Sequence, residues 1–160
     1  MSTYHIKAIQ SDDRSWIGSF VAKHWGSNKV VTRGRLFEVE LLPGYKALQQ
    51  GKPIGLITFS ISKNECEIIT LTSLIENLGV GSNLITEVRK SAVEAGCNRL
   101  WLITTNDNIN ALRFYQMRGF SFVAVHRQAI EQSRRLKPEI PHKGYYGIPI
   151  QDEIELELML

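Results

Sequence analysis

Residues Ser73–Ile85 read SLIENLGVGSNLI. The stretch has the form of a strand end, a glycine-bearing turn and a helix start. Three phosphate-holding devices put glycines at such a junction. A Walker A loop needs GxxxxGK[ST], and no Gly-Lys-Ser/Thr occurs in the chain. A dinucleotide fingerprint needs a further glycine where this chain has Leu84. What remains is Gly79-Val80-Gly81-Ser82 opening a helix. The first-turn N–H groups of a helix have no intrahelical acceptor, and its dipole is positive there. Glycines let a pyrophosphate approach them without meeting a Cβ. The same glycines are equally compatible with a plain tight turn.

Upstream, a strand is expected over Tyr4–Ile9, followed by a helix capped by Ser11 or Asp12. Trp16, Ile17, Phe20, Val21 and Trp25 form its apolar face, and Gly26 ends it. Val30–Leu48 is strand-rich, broken at Gly34 and at Pro43-Gly44. A turn at Gly51-Lys52-Pro53 leads into an apolar strand, Ile54–Ile61. Ser62, Lys63 and Asn64 form a hairpin loop, and Glu65–Leu74 is the return strand. Downstream, Leu84, Ile85, Val88, Ala92 and Ala95 mark the buried face of a helix with Gly96 at its end. RLWLITT, Arg99–Thr105, is apolar on both faces, as an interior strand is. Asn108 opens a short helix with Ala111, Leu112, Phe114 and Tyr115 as its apolar residues, closed by Gly119. Phe120–Val125 is a strand. Gln128–Gln151 holds three prolines and reads as an irregular excursion rather than a helix. Ile154–Leu160 alternates cleanly, as a half-buried antiparallel strand does. The order β, α, β-meander, α, β, α, β, β describes an α/β (α+β) fold. It has a mixed central sheet of about six to seven strands with helices on both faces. The length suits one domain, residues 1–160.

The net charge is +3, which admits an acidic ligand but does not mark a nucleic-acid-binding protein. No apolar run is long enough for a membrane span, and MSTYHIKAIQ lacks a signal-peptide core. Cytoplasmic location is the expectation. Cys66 and Cys97 lie outside any CxxC pair and read as reduced, buried thiols. His5, His24, His126 and His142 have no metal spacing, so no metal is expected.

Beyond the turn lies NINALRFYQMRGF, Asn108–Phe120. The turn and this helix together resemble the GNAT N-acetyltransferase superfamily, whose motifs are Q/R-x-x-G-x-G/A and N-x-x-A-x-x-x-Y-x-x-x-G-F. Asn108, Ala111, Tyr115, Gly119 and Phe120 match the second motif; Gly79 and Gly81 match the first. Glu76 stands where the family has Gln or Arg, and places a negative charge at the edge of an anion site. It either points to solvent or pairs with a neighbour such as Arg118. The resemblance implies the GNAT fold, splayed at the acyl-CoA site, and acetyl-CoA as co-substrate. The turn from Leu78 through Gly79, Val80 and Gly81 to Ser82 would bind the pyrophosphate. The pantetheine arm would pair with strand backbone around Ile69 and Leu71, where an N–H could also polarise the thioester carbonyl. Asn108, Ala111, Tyr115 and Arg118 complete the cofactor-binding set.

The resemblance makes Tyr115 the candidate proton donor to the departing thiolate; read from the residues alone, it is a core aromatic beside Phe114. The attacking amine must be neutral, which calls for a base. Glu67 and Glu65 are the candidates, on a strand face shared with Ile69 and Leu71. The expected reaction is direct attack of an amine on acetyl-CoA in a ternary complex. The acceptor is a small-molecule amine, or less readily a protein amine. A noncatalytic acyl-CoA-binding sensor is the alternative, and a homodimer is compatible with the family. Two basic stretches, Arg33-Gly34-Arg35 and RRLKPEIPHK with Arg134, Arg135, Lys137 and Lys143, read either as solvated loops or as a site for an acidic acceptor or the cofactor's ribose phosphate. Tyr145 and Tyr146 are candidates for a cleft wall or lid.

Overall fold

A computed structural model describes residues 3–160. Among them the chain forms nine strands and four α-helices. Seven strands form one mixed sheet in the order β1-β4-β5-β6-β7-β9-β8; β2 and β3 form a separate two-stranded ribbon. The chain divides into two compact units. One takes the described residues up to Val30, Phe37–Leu100 and Leu160; the other takes Val31–Leu36 and Trp101–Met159.

In the first unit, β1 (His5–Ala8), β4 (Gly44–Gln49), β5 (Lys52–Ser62) and β6 (Glu65–Ser73) pair antiparallel in that order. Successive residues of β5 face opposite sides, and each side carries a helix. Leu56 packs under α1 (Arg14–Trp25) in a cluster with Ile17, Val21 and Val39. Gly55 lies under α2 (Val80–Glu94): a Cβ there would stand 2.7 Å from Val80 Cγ1 and 3.1 Å from Leu84 Cδ1. The glycine is what lets the start of α2 seat on the strand.

The entry to α1 differs from the expectation. Its organiser is Asp13, not Ser11 or Asp12. Asp13 is buried and accepts from the Gln10 N–H (2.8 Å), the Trp16 indole N–H (2.8 Å) and Lys46 Nζ (2.7 Å). Burial pushes its carboxyl pKa up, but these donors outweigh burial and hold it below the usual value. Trp25 is not a core residue. It is 44% exposed, and its indole N–H donates to Thr72 Oγ1 across 2.9 Å. Ala95 is exposed too, because α2 ends before its apolar stripe comes round again. The β4–β5 turn lies at Gln50-Gly51, one residue earlier than expected, with Lys52 and Pro53 already in the strand. Lys63 and Asn64, both at positive φ, make the two-residue turn of the β5–β6 hairpin.

The second unit contains the residues of β7 (Arg99–Thr105) from Trp101 onward, α3 (Ile109–Met117), β8 (Ser121–His126), α4 (Ala129–Leu136) and β9 (Glu153–Met159). The tip of the β2 (Lys29–Thr32)–β3 (Arg35–Glu38) hairpin belongs to it as well. β8 and β9 pair antiparallel from Ser121↔Glu157 to His126↔Glu153. Leu102, Tyr115, Phe120, Ile130, Ile150, Ile154 and Leu156 are buried. The excursion Gln128–Gln151 is not wholly irregular: its first third is α4, which buries Ile130 and Ser133. The rest is tied down by polar side chains. Asn106 Oδ1 accepts from the N–H groups of Gln151 and Asp152. Arg134 donates to the carbonyls of Ile140, Pro141 and Ile150. Buried Asp107 accepts from Tyr145 N–H (3.0 Å), and Gly144 lies so close that any Cβ would overlap the Asp107 carboxylate.

Candidate active site

The turn between β6 and α2 has two left-handed residues, Asn77 (φ 66°) and Gly79 (φ 73°). Gly79 is the N-cap of α2. The helical ladder begins with Asn83 N–H to Gly79 C=O at 2.9 Å, so the amides of Val80, Gly81 and Ser82 lie ahead of it. A Cβ at Gly79 would find nothing nearer than Asn83 Nδ2 at 3.9 Å and the Tyr4 hydroxyl at 4.0 Å. Tyr4, just before β1, clamps the turn. Its hydroxyl donates to Leu78 C=O (3.1 Å) and accepts from Asn83 Nδ2 (2.5 Å). No sequence signal pointed to Tyr4, because the residues it joins lie far along the chain. Glu76 is exposed.

On β6 the alternation assumed from sequence is broken. Thr58 pairs with Thr70 but Phe59 pairs with Ile68, so Ile69 is an extra residue in a β-bulge. Thr72 lies opposite Leu56, and its hydroxyl meets Trp25 of α1. Thr70 shares that side and exchanges a 2.7 Å hydrogen bond with Thr58. Below the bulge, Ser60 pairs with Glu67, which places Glu67 and Glu65 on the α1 side as well. Leu71 lies on the opposite side, under α2, with Ile57 and Gly55. The residues expected on one face are therefore divided, with Glu65 and Glu67 on one side and Leu71 on the other. Glu67 is 2% exposed. Glu65 is half-buried, and Arg99 Nε donates to it across 2.8 Å.

On α3, Asn108 caps the helix: its Oδ1 accepts from Ala111 N–H at 3.2 Å. Tyr115 is buried between Phe114 and Phe120, with ring centroids at 5.2 and 5.4 Å in edge contacts. Burial pushes its phenol pKa well up, and the nearby Arg118 charge offsets this only in part. The phenol therefore holds its proton. The Arg118 guanidinium stacks on the Phe114 ring at 3.5 Å, and its Nη1 donates to Phe114 C=O at 2.9 Å.

The strand order, the hairpin feeding a glycine-opened helix, and a second short helix capped by asparagine define an acetyltransferase-type α/β fold. The chain belongs to the GNAT acetyltransferase family, whose family model, described as Acetyltransferase (GNAT) family, matches residues 13–120. It is 48% identical over 136 residues to the uncharacterized protein YdhI of Bacillus subtilis (strain 168), covering 84% of this chain and 85% of that protein. Among solved structures it resembles an IAA acetyltransferase from Bacillus cereus, with TM-score 0.71 and 19% identity over 99% of this chain and all of that one. It also resembles a Bacillus subtilis acetyltransferase in complex with CoA, with TM-score 0.66 and 16% identity over 100% and 99% of the two chains. Among the described residues no helix is long and apolar enough to cross a membrane.

Proposed function

We propose that the chain transfers an acetyl group from acetyl-CoA to a primary amine of a small molecule by direct attack in a ternary complex. The observation that carries this reading is the turn at Asn77–Ser82. Three helix-start amides lie ahead of the ladder, and the cap is a left-handed glycine, φ 73°, a conformation that side-chain-bearing residues rarely adopt. Such a cradle fits a pyrophosphate. Leu78, Gly79, Val80, Gly81 and Ser82 would hold it, and the backbone around Ile69 and Leu71 would take the amide-bearing arm. Asn108, Ala111 and Arg118 are the remaining candidates on α3. Acetyl-CoA supplies an activated acyl carbon and a thiolate leaving group.

Glu67 takes the proton from the attacking amine, directly or through one water, as the new C–N bond forms. Glu65, which Arg99 engages, is the alternative base. Tyr115 gives its proton to the sulfur as the C–S bond breaks. Its raised phenol pKa keeps Tyr115 protonated across the neutral range but makes it a weaker acid, so it hydrogen-bonds the departing sulfur and completes the transfer where the two local pKa values are matched.

The test is free-thiol release from acetyl-CoA across a panel of amines. Tyr115→Phe is expected to lower kcat by about 100-fold, the scale of acid–base assistance, with the acetyl-CoA dissociation constant nearly unchanged. Equal turnover would remove Tyr115 from the mechanism. Tight acetyl-CoA binding with no thiol release for any amine would favour a noncatalytic acyl-CoA-binding protein of the same fold.

A further inference from the structure

Two basic stretches far apart in sequence meet around one groove of the second unit. From this we infer that the groove binds the acidic group, a carboxylate or a phosphate, of the acceptor amine. The inference rests on the acetyl-transfer reading above and names its substrate class.

Arg33 at the tip of the β2–β3 hairpin, Arg127 just after β8 and Arg135 on α4 line a groove of about 420 Å³, with Gln128, Gln132 and Glu131. Arg33 is held from behind. Glu153, only 1% exposed, accepts the Arg33 backbone N–H at 3.2 Å through Oε2 and Arg33 Nη1 at 3.1 Å through Oε1. A carboxylate that deep is costly unless paired, and both of its oxygens are spent on fixing this one arginine. Arg33 stays 40% exposed along its side chain, with most of its five guanidinium donors still available. Arg127 and Arg135 have no hydrogen-bond or ion-pair partner among the described residues. Their neighbour Arg134 is a contrast, since its guanidinium donates to three backbone carbonyls and serves the fold. His126 is taken up by Glu155, with Nε2 2.9 Å from Oε1.

Three guanidinium groups stand around one concavity against two carboxylates, Glu131 in the lining and Glu153 behind Arg33, so positive charge is left in excess in the free protein. A planar or tetrahedral oxyanion balances that excess and can accept from two of the guanidinium groups at once. The start of α4 adds the positive end of its dipole. The two glutamine amides can donate to a remaining oxygen.

The experiment compares three amine series of graded chain length: alkylamines, ω-amino carboxylic acids and aminoalkyl phosphates. Thiol release is measured with the wild type and with the double variant Arg127→Ala/Arg135→Ala, both positions being exposed. Arg33 is left intact because its loss would orphan Glu153. The expected result is a KM about tenfold or more lower for one acidic series than for alkylamines of equal length. The double variant should lose that preference while its kcat/KM for alkylamines and its KM for acetyl-CoA stay within about twofold. The favoured series tells carboxylate from phosphate. Equal KM values across the series, or a loss in the variant shared equally by all amines, overturns the inference. So does inhibition by inorganic phosphate that is noncompetitive with the amine, which would mark an effector site. If the wild type acetylates no amine, the acetyl-transfer reading has failed. Calorimetry with the same acidic amines then judges the groove alone: heat lost in the double variant supports it, and no heat or unchanged heat overturns it.

Discussion

Replacing Tyr4 with Phe removes one oxygen and leaves the ring. That oxygen joins the turn to itself, donating to Leu78 C=O and accepting from Asn83 Nδ2. Each hydrogen bond is worth roughly 0.5–1.5 kcal/mol net. Asn83 is exposed and Leu78 half-buried, so water can replace the lost partner and no large desolvation penalty is added. The variant should therefore lose about 1–2 kcal/mol, or roughly 2–8 °C in Tm for a chain of this size. The larger effect concerns binding. If the clamp pre-organises the amides ahead of α2, the loosened turn must be re-fixed when acetyl-CoA binds. The same 1–2 kcal/mol then reappears as roughly a 5- to 30-fold weaker dissociation constant. Isothermal calorimetry with acetyl-CoA, paired with a thermal melt, measures both. A lowered Tm with the dissociation constant held within about twofold would refute the pre-organisation argument, leaving Tyr4 a structural tether only.

Gly55→Ala would drive a methyl into Val80 and Leu84. Overpacking of this kind costs about 1–3 kcal/mol, and here it should also weaken acetyl-CoA binding by displacing the start of α2; unchanged urea stability would show that the helix can ride up freely. Burial, aided by the nearby Cys97 and Glu67, raises the Cys66 thiol pKa from its ordinary 9.0 to about 12. Above pH 9 the unfolded chain releases a proton that the folded one keeps, so this contribution to stability is complete below pH 9 and lost as pH rises towards 12. Cys66→Ala should flatten that alkaline decline in denaturant titrations; an identical slope would show that Cys66 is not its source.

Features set by neighbouring residues were legible in the sequence. Gly26, Gly96 and Gly119 all lie at helix ends with positive φ, Asn108 caps α3, and β9 alternates as an antiparallel strand should. Features set by distant contacts were not. α4 is short and highly polar, and the prolines that suggested an irregular segment all lie beyond its end. Only burial of Ile130 and Ser133, with Arg134 tied to the following loop, marks it as a helix. Trp25 looked like core because its spacing fits the apolar face of α1. It sits in the last turn instead, where its indole N–H reaches a threonine hydroxyl on β6.

The bulge at Ile69 links this limit to the chemistry. An unbroken strand would put Glu65, Glu67, Ile69 and Leu71 on one face. One extra residue reverses the parity. Leu71 then turns towards α2, whose first turn carries the candidate pyrophosphate amides, while Glu67 stays on the α1 side with Thr70 and Thr72. Leu71 and the two candidate bases are thereby held on opposite sides of β6. Sequence alternation cannot foretell it, because a bulge adds no distinctive residue type. Here the inserted residue is an isoleucine among isoleucines, and only the pairing of Phe59 with Ile68 reveals it.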